Sequence, residues 1–277
     1  MTILLTGATG FIGRHVLQKL LASGHNVIAL VRPISVDRLE QHPQLHVISI
    51  EKFNIEKTEL RNVDALIHLA AHGVVDGLND WDGCFRVNLH ESLALWRRAA
   101  DAGIKRFIIC GSCFEYGRSG ERYDFIPPDA PLEPTNAYGA SKAAASMAAI
   151  ALAAEYKLEL IIARPFHVYG EGEDRRRFWS SLRSAALAGR DFDMTIGTQI
   201  RDFIQVEQVA AKLANIVEAT KTCAGATQIY NIGTGAPQSL ADFAYYWWRH
   251  WHAHGKLNLG AVVMRSNEVL RYVPKIS

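Results

Sequence analysis

Short apolar runs alternate with helical periods along most of the chain. LHVISI (45–50) alternates, while TILL (2–5), NVIALV (26–31), DALIHLAA (64–71), RFIICGS (106–112) and LELIIARP (158–165) are brief and mostly apolar. Strands buried on both faces of a sheet read this way. Between them, FIGRHVLQKLLASG (11–24) has apolar residues at 12, 16, 17, 20 and 21, a helical spacing, and ends on Gly24 as a C-cap would. FRVNLHESLALWRRAADAG (85–103) predicts one long amphipathic helix ending on Gly103, and the alanine-rich stretch after Thr135 predicts another. Repeated βα units predict an α/β fold, a doubly wound parallel Rossmann sheet covered on both faces.

Beyond Pro165 the rhythm changes. An Arg-rich segment (175–177), a helix after RDFIQVEQVA, a strand TQIYNIG and an aromatic helix (240–252) follow. The reading is a dinucleotide-binding domain over 1–165 and a smaller α/β substrate-binding region over 166–277, partly packed back onto the first. Phe243, Trp247 and Trp251 recur at helical spacing and are assigned to core. His250, His252 and His254 have no acidic or cysteine partner nearby, so no metal site is assigned.

Composition narrows the classes. The 277 residues carry a net charge of +2, which gives no basic bias toward nucleic acid or anionic membrane. The run Ala143–Ala154 is too short to span a bilayer, and Ile3–Leu5 leads straight into a glycine motif, leaving no room for a signal peptide. Cys84, Cys110, Cys113 and Cys223 lack disulfide-framework spacing, so reduced thiols in a cytoplasmic protein are expected. Cys110-x-x-Cys113 closes an apolar strand and is read as incidental.

The chemistry begins at TGATGFIG (6–13). Gly7, Gly10 and Gly13 stand between the first strand and the first helix. A tight turn, close backbone approach to a pyrophosphate and a free helix N-terminus are what a dinucleotide needs, with Thr9, Phe11 and Ile12 completing the loop. The second strand ends Leu30-Val31-Arg32 with no acid to accept a ribose 2′-hydroxyl. A guanidinium there suits a 2′-phosphate, which favours NADP(H) and leaves NAD(H) possible. Tyr138 and Lys142 lie four apart, on one face of the predicted helix.

Together with HLAA (68–71), RVN (86–88), GSCFEYG (111–117), YGASK (138–142), ARPFHVYG (163–170), RDFIQVEQVA (201–210) and YNIGTG (230–235), these motifs resemble the extended short-chain dehydrogenases/reductases that act on sugar nucleotides. The resemblance runs in family order over almost the whole chain. It implies that Ser112, Tyr138 and Lys142 are catalytic. Tyr138 would exchange a proton with the carbonyl or carbinol oxygen, its pKa lowered by Lys142. Leu69, Ala70, Ala71, Asn88, Pro165 and Phe166 would line or support the cofactor, with Tyr138 and Lys142. Cys113, His167 and Arg201 would meet the substrate, and a homodimer would form through helices 85–103 and 136–156.

Two departures sharpen the expectation. Dehydratases of this group carry Asp-Glu directly after the catalytic Ser/Thr, where this chain has Cys113-Phe114. Its 4-epimerases usually have an acid where Arg32 stands. The implied activity is an NADPH-dependent reductase of a nucleotide-linked 4-keto-6-deoxyhexose. The alternative is an NAD-dependent sugar-nucleotide 4-epimerase. A dinucleotide sensor without turnover ranks below both, because Ser112, Tyr138 and Lys142 are all present.

Overall fold

A computed structural model describes residues 1–51, 60, 62–75, 80–219, 225–266 and 268–276. Cys223 and Ser277 lie outside the described residues. Seven parallel strands form the central sheet: β1 (Thr2–Thr6), β2 (Asn26–Val31), β3 (Leu45–Ser49), β4 (Ala65–His68), β5 (Arg106–Cys110), β6 (Glu159–Pro165) and β11 (Thr227–Ile232). Their order is β11-β6-β5-β4-β1-β2-β3. The direction of winding reverses between β1 and β4, the switch point where ligands of open α/β sheets bind. Every residue of β4 and β6 is buried, which explains the continuous apolar runs that announced them.

Helices cover both faces. On one, α1 (Phe11–Ala22) lies against α6 (Val206–Glu218), with Val16, Leu17 and Leu20 packed among Val209, Leu213 and Val217. On the other, α3 (Ser92–Asp101) and α4 (Ala137–Tyr156) bury Leu95, Trp96, Ala145, Ala149 and Leu152 against Leu4, Leu66 and Phe107. Each fully buried Leu contributes about 1.5–3 kcal/mol relative to exposure. Both β11 and α6 come from beyond residue 165, yet they complete the sheet and its cover.

The expected single helix over 85–103 is three pieces. α2 (Trp81–Phe85) runs into a π-helical turn at Arg86–Glu91, and only then into α3. The widened turn is held by Ser92, whose hydroxyl donates to the Val87 carbonyl five residues back at 2.9 Å. Such turns concentrate at functional sites, and this one points Asn88 inward.

The remaining elements, β7 (His167–Tyr169), α5 (Phe178–Leu187), β8 (Phe192–Met194), β9 (Ile200–Arg201), β10 (Phe203–Gln205), β12 (Gln238–Ser239), α7 (Leu240–His250), β13 (Leu257–Leu259) and β14 (Arg271–Tyr272), build a smaller layer of two- and three-stranded sheets. α7 buries Phe243, Ala244 and Trp248. Trp247 and Trp251 are partly buried against the same cluster, in which Trp179 meets both edge-on. No described helix is long and apolar enough to cross a membrane.

Candidate active site

The loops that follow β1, β2, β4, β5 and β6 all open at one edge of the sheet, because the strands are parallel. Gly7 turns there at φ +73°, and a Cβ would lie 2.7 Å from the Ala70 nitrogen. A Cβ on Gly13 would stand 1.9 Å from the Gly7 carbonyl oxygen. Neither position admits a side chain. Helix α1 starts at Gly10 with no side-chain cap and no acid in its first turn. Its first N–H groups and dipole are left to an external acceptor, so this cradle fits the pyrophosphate of a dinucleotide. Thr9, Phe11 and Ile12 frame it, and Arg32 is exposed at the end of β2.

A buried relay holds the facing loop. The Thr6 hydroxyl accepts from the Leu69 and Ala70 N–H groups, each at 3.2 Å. With both lone pairs engaged, it donates to His68 Nδ1 at 3.0 Å. His68 is therefore the Nε2–H tautomer, donating to Ser92 Oγ at 3.0 Å, which donates onward to Val87. Burial, with Lys142 adding to it, lowers the His68 pKa to about 3. Leu69 and Ala70 leave the strand pattern here because their N–H groups serve Thr6. Ala71 follows them at the surface. Asn88 clamps the next turn: it accepts from His72 N–H at 2.7 Å and donates to the His72 carbonyl and to Ser141 Oγ.

Ser112, Tyr138 and Lys142 converge beyond β5 and at the start of α4. Asn136 caps α4 by accepting from Gly139 N–H at 2.8 Å. Ser112 caps a short 3-10 turn, Cys113–Glu115, and the Glu115 carboxylate returns to the Ser112 N–H at 2.7 Å. That carboxylate also accepts from Arg164 Nε at 2.9 Å and Ser146 Oγ at 2.7 Å. Ser112 is thus fixed from beneath by a buried ion pair. Its hydroxyl lies beside the Tyr138 phenol.

The expected lowering of the Tyr138 pKa by Lys142 does not hold. Burial pushes the phenol above its usual range, with the Ser112 hydroxyl pulling the other way. The Lys142 ammonium donates instead to the Cys110 carbonyl. Tyr138 is accordingly a neutral phenol, able to give a proton.

Tyr138 lines a cavity of about 660 Å³ between the sheet edge and the smaller layer. Phe114, His167, Arg177, Arg201, Arg265 and Tyr272 share its wall. Arg201 is buried, with one guanidinium nitrogen donating to Glu268 at 2.6 Å and to the Val269 carbonyl at 2.7 Å. Arg177 donates to Glu173 at 2.8 Å. Of the three arginines at 175–177, only Arg177 is in the wall, whereas Arg176 is exposed and paired with Asp174. Cys113 is not in the wall: its thiol is buried with Tyr116, Phe166 and Tyr272, and burial pushes it to about 12. Phe114 faces the cavity in its place. Pro165 ends β6, and Phe166 is buried just after it.

Sequence reasoning missed Arg265, the Thr6–His68–Ser92 relay and the Glu115–Arg164 pair. The relay and Arg164 left a signal, polar residues inside otherwise apolar runs. Three buried polar atoms of cavity-lining residues have no hydrogen-bond partner among the described residues: His167 Nδ1, Trp179 Nε1 and the Tyr272 hydroxyl. Among the described residues no group of three or more His, Cys, Asp or Glu is placed to hold a metal ion.

A glycine cradle at the switch point and a Ser-Tyr-Lys set at the neighbouring strand end define a dinucleotide-dependent enzyme of the short-chain dehydrogenase type. Residues 3–233 match the model of the NAD dependent epimerase/dehydratase family, and the chain belongs to that family. It is 28% identical over 276 residues to CDP-abequose synthase of Salmonella muenchen, covering 97% of this chain and 87% of that protein. It is also 28% identical over 255 residues to dTDP-6-deoxy-L-talose 4-dehydrogenase (NAD(+)) of Aggregatibacter actinomycetemcomitans, covering 87% of each. Among solved structures, MoeE5 in complex with UDP-glucuronic acid and NAD superposes with a TM-score of 0.86 at 28% identity, covering all of this chain and 90% of that one.

Proposed function

We propose that the protein reduces a nucleotide-linked 4-keto-6-deoxyhexose at C4. The observation that carries this reading is Phe114, in edge contact with the Tyr138 ring, where a dehydratase would carry an acid. A protonated phenol suits protonation of a carbonyl oxygen, and an aromatic ring supplies no acid/base pair for dehydration. The similarity to a 4-dehydrogenase of a 6-deoxy sugar nucleotide supports the class of substrate.

The bound NAD(P)(H) supplies or accepts the hydride. Gly7, Gly10 and Gly13 would hold its pyrophosphate on the N-terminus of α1, and Lys142 its nicotinamide ribose. Ser112 would hydrogen-bond the reacting oxygen while Tyr138 delivers the proton. Arg201, Arg177 and Arg265 would face the substrate diphosphate, with the His167 ring between Phe114 and Arg201.

Arg32 favours NADP(H) through its 2′-phosphate, although the talose dehydrogenase relative is named for NAD(+). The exposed apolar side chains Trp81 and Met147 on the outer helices support a homodimer, and the free Cys84, Cys110 and Cys113 thiols suit the cytoplasm.

A panel of 4-keto sugar nucleotides with NADPH or NADH tests the reading. Stoichiometric consumption of reduced cofactor, with a 4-hydroxy product, is expected. The Arg32→Ala variant should weaken NADPH by roughly 1–3 kcal/mol and leave NADH unchanged. Purified protein that retains NAD through gel filtration and interconverts 4-epimers without added cofactor would establish the epimerase instead.

A further inference from the structure

Glu115 is wholly buried, stands outside the cavity wall and takes no part in the chemistry above. Its carboxylate gathers donors from three directions. One oxygen accepts from the Ser112 N–H at 2.7 Å. The other accepts from Ser146 Oγ on α4 at 2.7 Å and from Arg164 Nε on β6 at 2.9 Å. Gly111 leaves room for this arrangement, since a Cβ there would lie 2.5 Å from the first oxygen and 2.9 Å from Arg164 Cγ.

Tyr138, Lys142 and Ser146 follow one another at helical spacing along one stripe of α4. The carboxylate that holds Ser112 therefore also holds the stripe that carries the phenol and the ammonium. The Ser112 side chain is fixed as well, because its Oγ accepts from the Phe114 N–H at 3.2 Å. That bond leaves the hydroxyl hydrogen of Ser112 and one lone pair for a ligand.

An amide of the same shape cannot replace the carboxylate. It has one acceptor oxygen, and its NH2 group would face either the Ser112 N–H or Arg164 Nε–H, donor against donor. Pressing that donor on a buried guanidinium is the costlier choice. The amide oxygen would stay with Arg164 and Ser146, and Ser112 would lose its acceptor.

We propose that Glu115 is a positioning residue for the proton transfer. It sets the Ser112 hydroxyl in register with the Tyr138–Lys142 stripe, so that Ser112 and the phenol meet the same oxygen of the substrate. The proposal rests on the Ser112 and Tyr138 roles in the function proposed above, and it holds for reductase and epimerase alike.

A double-mutant cycle on the steady-state turnover of the cofactor-loaded protein tests it. Glu115→Gln should lower kcat by roughly 10- to 100-fold, up to the loss that a displacement of about 1 Å in a reacting geometry causes, with KM and dinucleotide affinity near wild type. In the Ser112→Ala background the same change should cost less than about twofold, because no hydroxyl is left to position. Ser146→Ala removes only the α4 leg and keeps the ion pair, so it carries the cycle if the amide variant fails to fold. Its loss should be about three- to tenfold with Ser112 present and should vanish in Ser112→Ala. Equal losses in both backgrounds mark a merely structural role and overturn the proposal, as does an unchanged kcat in the single variants. Failure of the reductase reading shows separately: wild type then interconverts 4-epimers without consuming NADPH, and the same cycle is read on that turnover. Wild type with neither activity overturns both.

Discussion

The dinucleotide cradle and the substrate cavity share an edge of the sheet but treat their polar atoms in opposite ways. Around the cradle, Thr6, His68, Ser92 and Asn88 form closed chains in which donors meet acceptors within the protein. Across the cavity, the buried His167 Nδ1, Trp179 Nε1 and Tyr272 hydroxyl meet none among the described residues. The guanidinium groups of Arg177 and Arg201 face inward, held by Glu173 and Glu268. Buried polar groups in native proteins are almost always paired, and orphans mark places where something else completes the site. One side is a finished scaffold that presents a cofactor. The other is shaped for a polar ligand that supplies the missing partners.

The sharpest way to break this comparison acts where the two sides meet. Tyr138→Phe removes the proton donor and leaves the cradle intact. Turnover should fall on the order of a hundredfold or more, with dinucleotide affinity near wild type. A variant that kept its turnover would take Tyr138 out of the chemistry. Arg201→Ala should touch the cavity side alone. Loss of a charge-assisted hydrogen bond to phosphate should weaken a nucleoside diphosphate sugar by about 1.5–3 kcal/mol in calorimetry, with the dinucleotide unaffected. Glu268, left without Arg201, would add repulsion toward the same ligand. Weakened cofactor binding in this variant would mean that the two sides are coupled rather than independent.

The scaffold side was far more legible in the sequence than the cavity. The inner strands β1, β4, β5 and β6 stood out as apolar runs, because a strand buried on both faces needs apolar side chains at nearly every position, whereas the half-buried β3 and β11 showed as alternating or mixed segments. The glycine cradle was legible by its spacing, and steric exclusion at Gly13 comes from the loop's own backbone, whereas at Gly7 it comes from Leu69 and Ala70 in the loop after β4. Ser112, Tyr138 and Lys142 were found by motif, but the sign of the Tyr138 shift was not. A neighbour at four residues is visible in a sequence, whereas the burial that raises the phenol and the turn of Lys142 toward the Cys110 carbonyl are not. The π-helical turn escaped because it leaves the hydrophobic spacing of 85–103 almost unchanged. Its cause is a hydroxyl, Ser92, tied to a histidine on another strand. Arg265 stands in an irregular segment with no period to read.

His68 offers the finest test of the finished side. Its pKa in the fold is about 3, against an ordinary value of 6.5, because burial, reinforced by Lys142, disfavours the imidazolium. Below pH 6.5 the unfolded chain takes up a proton that the folded chain refuses, so the unfolded state binds more protons and stability rises with pH. The contribution is fully present above pH 6.5 and is lost as pH falls from there toward 3. Its slope approaches about 1.4 kcal/mol per pH unit at most for one group. Protonation would also place a second donor against the Thr6 hydroxyl, which has no lone pair left to accept it. Release of Leu69 and Ala70 from Thr6 would loosen the wall that faces Gly7. Denaturant titrations at pH 7, 6 and 5 should therefore show a steeper loss of stability for wild type than for His68→Gln, which cannot titrate. Dinucleotide affinity of the folded protein should stay level over the same interval, because His68 remains neutral in the fold until pH nears 3. Parallel pH profiles for the two proteins would show that the relay does not carry the titration, and that the cradle stands on its glycines without it.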